Sequence, residues 1–212
     1  RVLHKPNGGA GDARNAALPL AQGDYVLFLD SDDSYTPEAF AVLSAALDET
    51  QADVCYFGLR MTGDNNGAVF TDDLPPRTPL TLPETPALLL NRPSACIAAW
   101  RRTLFTDTDI RFRARGWGED LCMTRKMLTA ARSVVILTDV LYLYRQHAGS
   151  VTKRALDANA EIMDAIDDVL TWYQARGLFK QYENELGKLC VDNVLYDCLL
   201  YTSDAADDSL RV

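Results

Sequence analysis

The sequence predicts an α/β fold, a sheet flanked by helices, followed by a helical extension at the C-terminus. The run Tyr25–Leu29 holds five consecutive apolar residues rich in aromatic and β-branched side chains, which is typical of a strand buried on both faces, as in a parallel sheet. Apolar runs alternate with helical patterns as far as about residue 150, where amphipathic helical segments take over.

The first elements have recognisable start signals. Asp12 can cap a helix over 13–21, and the strand over 24–29 follows it. Thr36 is the predicted cap of the next helix, with Pro37 at its first helical position. Residues at helical spacing give this helix an apolar face that we expect to be buried. The face consists of Ala39, Phe40, Leu43, Ala46 and Leu47.

The rest of the chain predicts further strands and helices around an irregular segment over 61–80, which is rich in glycine, asparagine and proline. No internal repeat or low-complexity segment interrupts this order. The predicted elements are a strand over 54–59, a short helix over 83–91, a strand over 95–100, a helix over 119–131, strands over 134–137 and 140–144, and helices over 156–200 with a break at Gly177.

Composition and charge limit the partners of the chain. Of its 212 residues, 48% are apolar and 24% are charged, as in ordinary soluble globular proteins. The net charge of −9 argues against a nucleic-acid partner. No apolar stretch approaches the roughly 18 residues that span a bilayer. The five cysteines are dispersed, which favours buried thiols in a reducing compartment, so the cytoplasm is the expected location.

Three acids, Asp30, Asp32 and Asp33, directly follow the predicted buried strand. Carboxylates at the C-terminal end of such a strand project into the crevice where open α/β sheets bind their ligands. Because acids are costly there without a positive partner, a divalent cation is the expected neighbour. An EF-hand calcium loop does not fit, because the sixth position from Asp30 is Tyr35 instead of glycine. The acids therefore predict an enzyme or a metal-dependent binding protein.

Four segments, in order, resemble the family 2 glycosyltransferases. They are Gly8–Leu18, similar to the family's "GG…ARN" loop and helix; Gly23–Asp33, similar to its strand ending in the DxD metal motif; Gly116–Asp120, similar to its acidic motif; and Tyr142–Thr152, similar to its "YYYR…S" segment. The resemblance implies a GT-A fold with a mixed sheet. It also implies metal-dependent, inverting transfer of a sugar from a nucleotide-sugar donor to a hydroxyl of a saccharide or lipid-linked saccharide, in building a bacterial cell-surface polysaccharide or glycolipid.

On the donor side, the resemblance implies a Mn²⁺ or Mg²⁺ ion bound by Asp32, with Asp30 facing the ribose or the metal and Asp33 as an alternative ligand. His147, which follows the last predicted strand, is a candidate third ligand. A hard cation that bridges two phosphate oxygens neutralises the charge that develops as the sugar leaves. Three basic residues are candidates for contacts with the donor: Arg14, Lys5 and Arg145.

On the acceptor side, Glu119 and Asp120 are adjacent at the start of a predicted helix. Their side chains would point about 100° apart, so only one of them is expected to face the substrate. The family pattern implies that Asp120 is the general base and that Glu119 orients the acceptor. Trp117, on the preceding turn, is a candidate for stacking on an acceptor sugar ring.

We expect three parts: a catalytic domain over 1–152 that lacks the family's N-terminal nucleotide-binding strands, a helical extension over 153–197, and a non-native tail over 198–212. Without those strands the chain is expected to be poorly stable and inactive alone. The apolar positions of the extension either pack on the catalytic domain or offer a surface to a partner or to the inner face of a membrane. The acidic residues of the extension argue against anionic lipid.

Two alternatives stay open at this point. The segment Asp30–Ser34 after an apolar strand also resembles the opening motif of haloacid-dehalogenase-like phosphatases. In that case Asp30 would be the nucleophile, and Lys126 with the pair Asp72–Asp73 would complete the site. The phosphatase family does not account for the glycine-rich and acidic motifs described above. A non-catalytic carbohydrate-binding module is the other alternative.

Overall fold

The computed structural model describes residues 1–63, 67–147 and 158–193. The strands are β1 (Tyr25–Val26), β2 (Ser34–Tyr35), β3 (Val54–Gly63), β4 (Val69–Phe70), β5 (Ala98–Arg101) and β6 (Val134–Gln146). The α-helices are α1 (Ala10–Ala17), α2 (Ala39–Thr50), α3 (Thr103–Thr106), α4 (Glu119–Ala130) and α5 (Ala158–Ala175), and residues 183–193 are also helical. Short 3-10 helices occupy Leu18–Leu20, Pro86–Leu90, Ala95–Ile97 and Phe179–Tyr182.

The strands form one mixed sheet in the order β1-β5-β3-β6-β2, with β4 also paired to β3. β3 and β6 are parallel from the pair Val54 and Val134 to the pair Gly63 and Gln146, with register shifts around Gly58. Every other pairing among the described strands is antiparallel. The mixed sheet flanked by helices is therefore confirmed.

The prediction of a fully buried strand over 24–29 is wrong. Only β1 pairs, antiparallel to β5, and Leu29 is 53% exposed. Beyond β1 the backbone is held by side chains: Tyr35 donates its hydroxyl hydrogen to the carbonyl of Phe28, and the N–H of Asp30 donates to the Tyr142 hydroxyl. An apolar run signals burial, but it cannot show whether a neighbouring strand or a side chain satisfies its backbone.

Several predicted boundaries also shift. Helix α1 begins before Asp12, whose side chain pairs with Lys5 instead of capping the helix. Helix α2 begins two residues after Pro37, and Phe40 points away from the core, although the other four residues of its predicted apolar face are buried. The two strands predicted over 134–144 are one continuous strand, β6, because its register shifts absorb the polar residues between them.

The C-terminal extension packs on the catalytic fold. Helix α5 lies against α4 through Ala165, Ile166, Val169 and Tyr173, all fully or almost fully buried. The Tyr173 hydroxyl donates to the carbonyl of Arg125 on α4. Packing is thus confirmed for α5, and the predicted tail over 198–212 lies outside the described residues.

Two further predictions concern the cysteines, expected to be buried thiols, and the lack of a stretch that could span a bilayer. The four cysteines within the described ranges are free thiols, and three of them are buried. None of the helices in these ranges is long and apolar enough to cross a membrane.

One buried carboxylate joins three parts of the sheet. Asp53 precedes β3 and accepts hydrogen bonds from Arg101 at the end of β5 and from the side chain and backbone of Arg132 before β6. Burial opposes its ionisation, but the hydrogen bonds and charges of Arg132 and Arg101 outweigh burial and lower the pKa of Asp53.

We expect Asp53→Ala to lower the free energy of unfolding by about 2 kcal/mol at neutral pH, because Arg101 loses a charged partner in a poorly hydrated position. The difference from wild type should shrink as the pH falls below about 3.9, since the wild-type carboxylate then loses its charge as well. Urea unfolding at several pH values measures both effects. Asp139→Ala, which breaks an exposed ion pair with Arg77, is the control and should cost about 0.5 kcal/mol or less. Equal costs for the two variants would contradict the assignment.

Candidate active site

Helix α1 approaches the segment 112–115 so closely that only glycine fits at two positions. A Cβ on Gly9 would lie 2.8 Å from the carbonyl oxygen of Ala114, and one on Gly11 would lie 1.9 Å from that of Arg113. The Asn15 side chain then makes two hydrogen bonds with the backbone N–H and carbonyl of Phe112, at 3.0 and 2.8 Å. These contacts hold α1 in place and thereby set the direction of the Arg14 side chain, which belongs to the residue before Asn15.

Arg14 brings three carboxylates together. Its Nη2 lies 2.8 Å from an oxygen of Asp30, and its Nη1 lies 3.1 Å from Glu119 and 2.8 Å from Asp120. The Arg14 side chain is only 11% exposed, and its guanidinium also lies over the Phe112 ring. Although adjacent on the helix, both acids reach the same Arg14 nitrogen, because the Glu119 side chain is the longer; that only one of them faces the substrate stays a prediction.

Burial sets the protonation of this cluster. The second Asp120 oxygen accepts the N–H of Ala95 at 3.0 Å. Burial, helped by the charges of Glu119 and Asp30, raises the pKa of Asp120 to about 6, although Arg14 and the Ala95 N–H oppose the shift. Burial also opposes the charge on Arg14, yet Asp120 and Asp30 outweigh it and raise the pKa of the guanidinium. The cluster therefore holds a permanent cation beside a carboxylate that titrates close to neutral pH.

The turn before α4 is built against α5. Gly116 and Gly118 have φ angles of 93° and 80°, a region that favours glycine. Between them the backbone N–H of Trp117 donates to a carboxylate oxygen of Glu161 on α5 at 2.8 Å. A Cβ on Gly118 would lie 2.6 Å from the Cβ of Ala165. Glu161 was not among the predicted site residues, because a solvent-facing acid on an amphipathic helix carries no local signal of this contact.

Asp32 and His147 form a second, more open pair. An Asp32 oxygen lies 3.0 Å from His147 Nε2, and the two side chains are 41% and 42% exposed. Across the ranges that the structure describes, no three His, Cys, Asp or Glu side chains converge on one metal position. The pair nevertheless offers two ligand atoms of types that Mn²⁺ accepts, and phosphate oxygens and water can complete such a shell.

Asp33 is used differently from its neighbours. One of its oxygens accepts the Tyr142 hydroxyl at 2.6 Å, and the other accepts the backbone N–H of Arg145 at 2.7 Å. Burial raises the pKa of this carboxyl, although both hydrogen bonds oppose the shift. Asp33 thus ties the acidic loop to β6, while the Arg145 residue is exposed. Lys5 pairs with Asp12 at the beginning of α1.

Known proteins resemble this chain in sequence. A family model described as Glycosyl transferase family 2 matches residues 1–107. The uncharacterized glycosyltransferase EpsJ of Bacillus subtilis (strain 168) is 27% identical over 214 residues, covering 93% of this chain and 58% of EpsJ. The poly(ribitol-phosphate) beta-N-acetylglucosaminyltransferase TarS of Staphylococcus aureus (strain MW2) is 33% identical over 144 residues, covering 67% of this chain and 24% of TarS. The chain thus spans little more than half the length of EpsJ and a quarter of TarS.

Solved structures share the fold. The crystal structure of S. aureus TarS residues 1–349 in complex with UDP-GlcNAc superimposes with a TM-score of 0.66 at 23% identity, covering 86% of this chain and 54% of that one. The structure of the same TarS fragment with UDP gives a TM-score of 0.62 at 24% identity, covering 80% and 46%. This likeness confirms the predicted GT-A fold.

We expect Gly118→Ala to destabilise the protein by about 1–3 kcal/mol more than Gly177→Ala. Both glycines have positive φ, but a Cβ at Gly177 meets no atom of the described ranges within 4 Å, so the pair separates the cost of the contact with α5 from that of the backbone angle. Urea unfolding of the two variants and wild type measures the difference. Equal destabilisation would show that α5 does not hold the turn.

Proposed function

Because the chain belongs to glycosyl transferase family 2, we propose that it transfers a sugar from a nucleotide-sugar donor to a hydroxyl group of a saccharide or lipid-linked saccharide. We assign the product to a bacterial cell-surface polysaccharide or glycolipid. The observation that carries the proposal is the cluster in which Arg14 holds Asp30, Glu119 and Asp120. Membership of this family favours a transferase over the phosphatase and over the non-catalytic module.

Asp120 is the proposed general base. Its partly buried carboxylate accepts the proton of the acceptor hydroxyl while the hydroxyl oxygen bonds to the anomeric carbon of the donor sugar. The bond from that carbon to the diphosphate oxygen breaks, and its electron pair leaves with the nucleoside diphosphate. Attack from the face opposite the leaving group inverts the anomeric configuration. The pKa of about 6 supports this role, because such a base is ionised at neutral pH and still more basic than an ordinary aspartate.

Glu119 and Trp117 are the proposed acceptor-side residues. Glu119 lies 3.1 Å from the same Arg14 nitrogen that contacts Asp120, so its carboxylate is close enough to the base to orient the attacking hydroxyl. Trp117 is half-buried, and its backbone N–H is held by Glu161. Its ring offers an aromatic face of the kind on which sugar rings stack.

Asp32 and His147 are the proposed ligands of a Mn²⁺ or Mg²⁺ ion, with Asp30 beside them. When bound, the cation supplies charge neutralisation for the departing diphosphate. Asp30 is 46% exposed and keeps one oxygen away from Arg14, so it can face the ribose or the water shell of the ion. Arg14 holds this carboxylate in position, and the exposed Lys5 and Arg145 stay proposed contacts of the donor.

We also propose a nucleotide-sugar donor to test first and a cellular location. UDP-GlcNAc is the first donor to test, because TarS was crystallised with it. We place the protein in the cytoplasm, where thiols such as the four described here stay reduced, and leave peripheral contact with the inner membrane face as an outcome for fractionation.

Nucleotide release from UDP-, GDP- and dTDP-sugars, assayed in the full reading frame that contains the chain, tests the proposal. We expect release from one donor, loss of release in EDTA and recovery with Mn²⁺ or Mg²⁺. Asp32→Asn should lower the rate at limiting metal by about 10²-fold or more, whereas Asp139→Asn, at an exposed carboxylate of another ion pair, should not change it. No release from any donor by the folded protein would overturn the function. Release that neither EDTA nor Asp32→Asn reduces would overturn the proposed metal dependence and leave the transferase activity in place.

The pH dependence of kcat/KM tests the base. Because Asp120 works only when ionised, kcat/KM should rise about tenfold per pH unit up to about pH 6 and stay level above it. Asp120→Asn keeps an acceptor for the Ala95 N–H and should lower kcat/KM by about 10²–10⁴-fold without this profile. An unchanged profile in Asp120→Asn would show that another group is the base.

A further inference from the structure

A cavity of about 650 Å³ lies beyond the Arg14 cluster, between β4, the segment 90–97, α4 and the helical residues 183–193. Its volume is in the range of small-molecule binding sites. Arg125, Asn91, Arg92 and Asp72 contribute polar side chains to its lining. None of these four residues belongs to the catalytic groups proposed above.

Arg125 is a buried cation without a counter-ion. The residue is 1% exposed, and no ion pair within the described ranges includes it. Its guanidinium donates to the carbonyl of Asn91 and, at 3.4 Å, to the Thr124 hydroxyl, while its Nε has no partner among the residues that the structure describes. Burial lowers the pKa of Arg125, although Tyr56, Tyr173 and Asp72 oppose the shift. A buried unpaired charge is costly, so this position favours a ligand that brings negative charge.

Asn91 adds unpaired donors to the same lining. The residue is 7% exposed, and its side-chain nitrogen has no partner in the described part of the chain. The unsatisfied atoms of Asn91 and Arg125 are both N–H groups, so their complement is a ligand that carries several acceptor oxygens. Phosphate and carboxylate groups meet this requirement, and guanidinium groups bind them well.

The other charges around the cavity leave its positive character in place. The guanidinium of Arg92 stacks over the Phe70 ring at 4.2 Å. Asp192 is already paired with Lys188 at 2.9 Å. Burial raises the pKa of Asp72, although Arg125 and Arg92 oppose the shift, and even when ionised this carboxyl offsets only one of the two arginine charges in the lining.

The cavity is within reach of the proposed base. The segment 91–95 runs beside α4, with the carbonyl of Asn91 on Arg125 and the N–H of Ala95 on Asp120. Asp120 and Arg125 are five positions apart on α4, a rise of about 7.5 Å along the helix axis. A group bound at Arg125 can therefore belong to the same acceptor molecule whose hydroxyl reaches Asp120.

We propose that this cavity binds an oxyanion of the acceptor, a phosphate or a carboxylate, through Arg125, Asn91 and Arg92. The assignment of the ligand to the acceptor rests on the proposed function, whereas binding of the oxyanion itself does not. The protein would then select acceptors that are acidic saccharides or phosphate-bearing glycans over neutral ones.

Calorimetric titration with methyl glucoside 6-phosphate, methyl glucuronide and neutral methyl glucoside tests the site. We expect at least one charged ligand to bind wild type tenfold or more tightly than the neutral one, and the stronger of the two identifies phosphate or carboxylate. Asn91→Asp places a carboxylate beside Arg125, so it should keep the melting temperature and weaken the charged ligand tenfold or more. Arg92→Gln, at the exposed edge of the cavity, should weaken binding of the charged ligand about threefold. This variant tests the site if Asn91→Asp does not fold. Gln174→Glu, on the exposed face of α5, is the charge-matched control.

Equal binding of charged and neutral ligands, or unchanged binding in both Asn91→Asp and Arg92→Gln, would overturn the site. Oxyanion binding that depends on Asn91, in a protein that releases nucleotide from no donor, would support the site and overturn the proposed function alone. Nucleotide release from a donor, in a protein that does not bind the oxyanion, would support the proposed function and overturn the site.

Discussion

The contacts of Arg14 are the interaction on which the rest of the site depends. One guanidinium, 11% exposed, joins α1, the loop after β1 and the first turn of α4 through three carboxylates. Without it, three acids would face one another in a poorly hydrated space, and their mutual repulsion would separate the loops that carry them. Arg14 thereby allows three carboxylates, among them the proposed base, to lie close together.

The C-terminal helix α5 supports the same place from the other side. Glu161 accepts the N–H of Trp117, and Ala165 packs against the turn at Gly118. The proposed base, Asp120, therefore lies at the beginning of a helix that contacts α1 on one side and α5 on the other. An element that looks like an appendage in the sequence thus helps to hold the candidate site.

The sequence identified the fold class and the candidate site residues better than it identified the contacts between them. The acids at Asp30, Asp32 and Asp120, together with Arg14, were recognisable because motif spacing is local information. The pairing of β1, the shared contact of Glu119 and Asp120 with Arg14, and the role of Glu161 were not, because each depends on residues far apart in the chain. The close approach of α1 to the segment 112–115 is an example: the glycines are visible in the sequence, but the carbonyls they accommodate are about a hundred residues away.

The most direct test of this account is the pKa of Asp120, measured by NMR titration of carboxyl-labelled aspartate in wild type and in Arg14→Met. We predict a value of about 6 in wild type. In Arg14→Met the value should be higher, because the cation that opposes the effect of burial is gone. A wild-type value near the ordinary aspartate pKa of about 3.9, or the same value in both proteins, would contradict the claim that a buried carboxylate coupled to Arg14 forms the centre of the site.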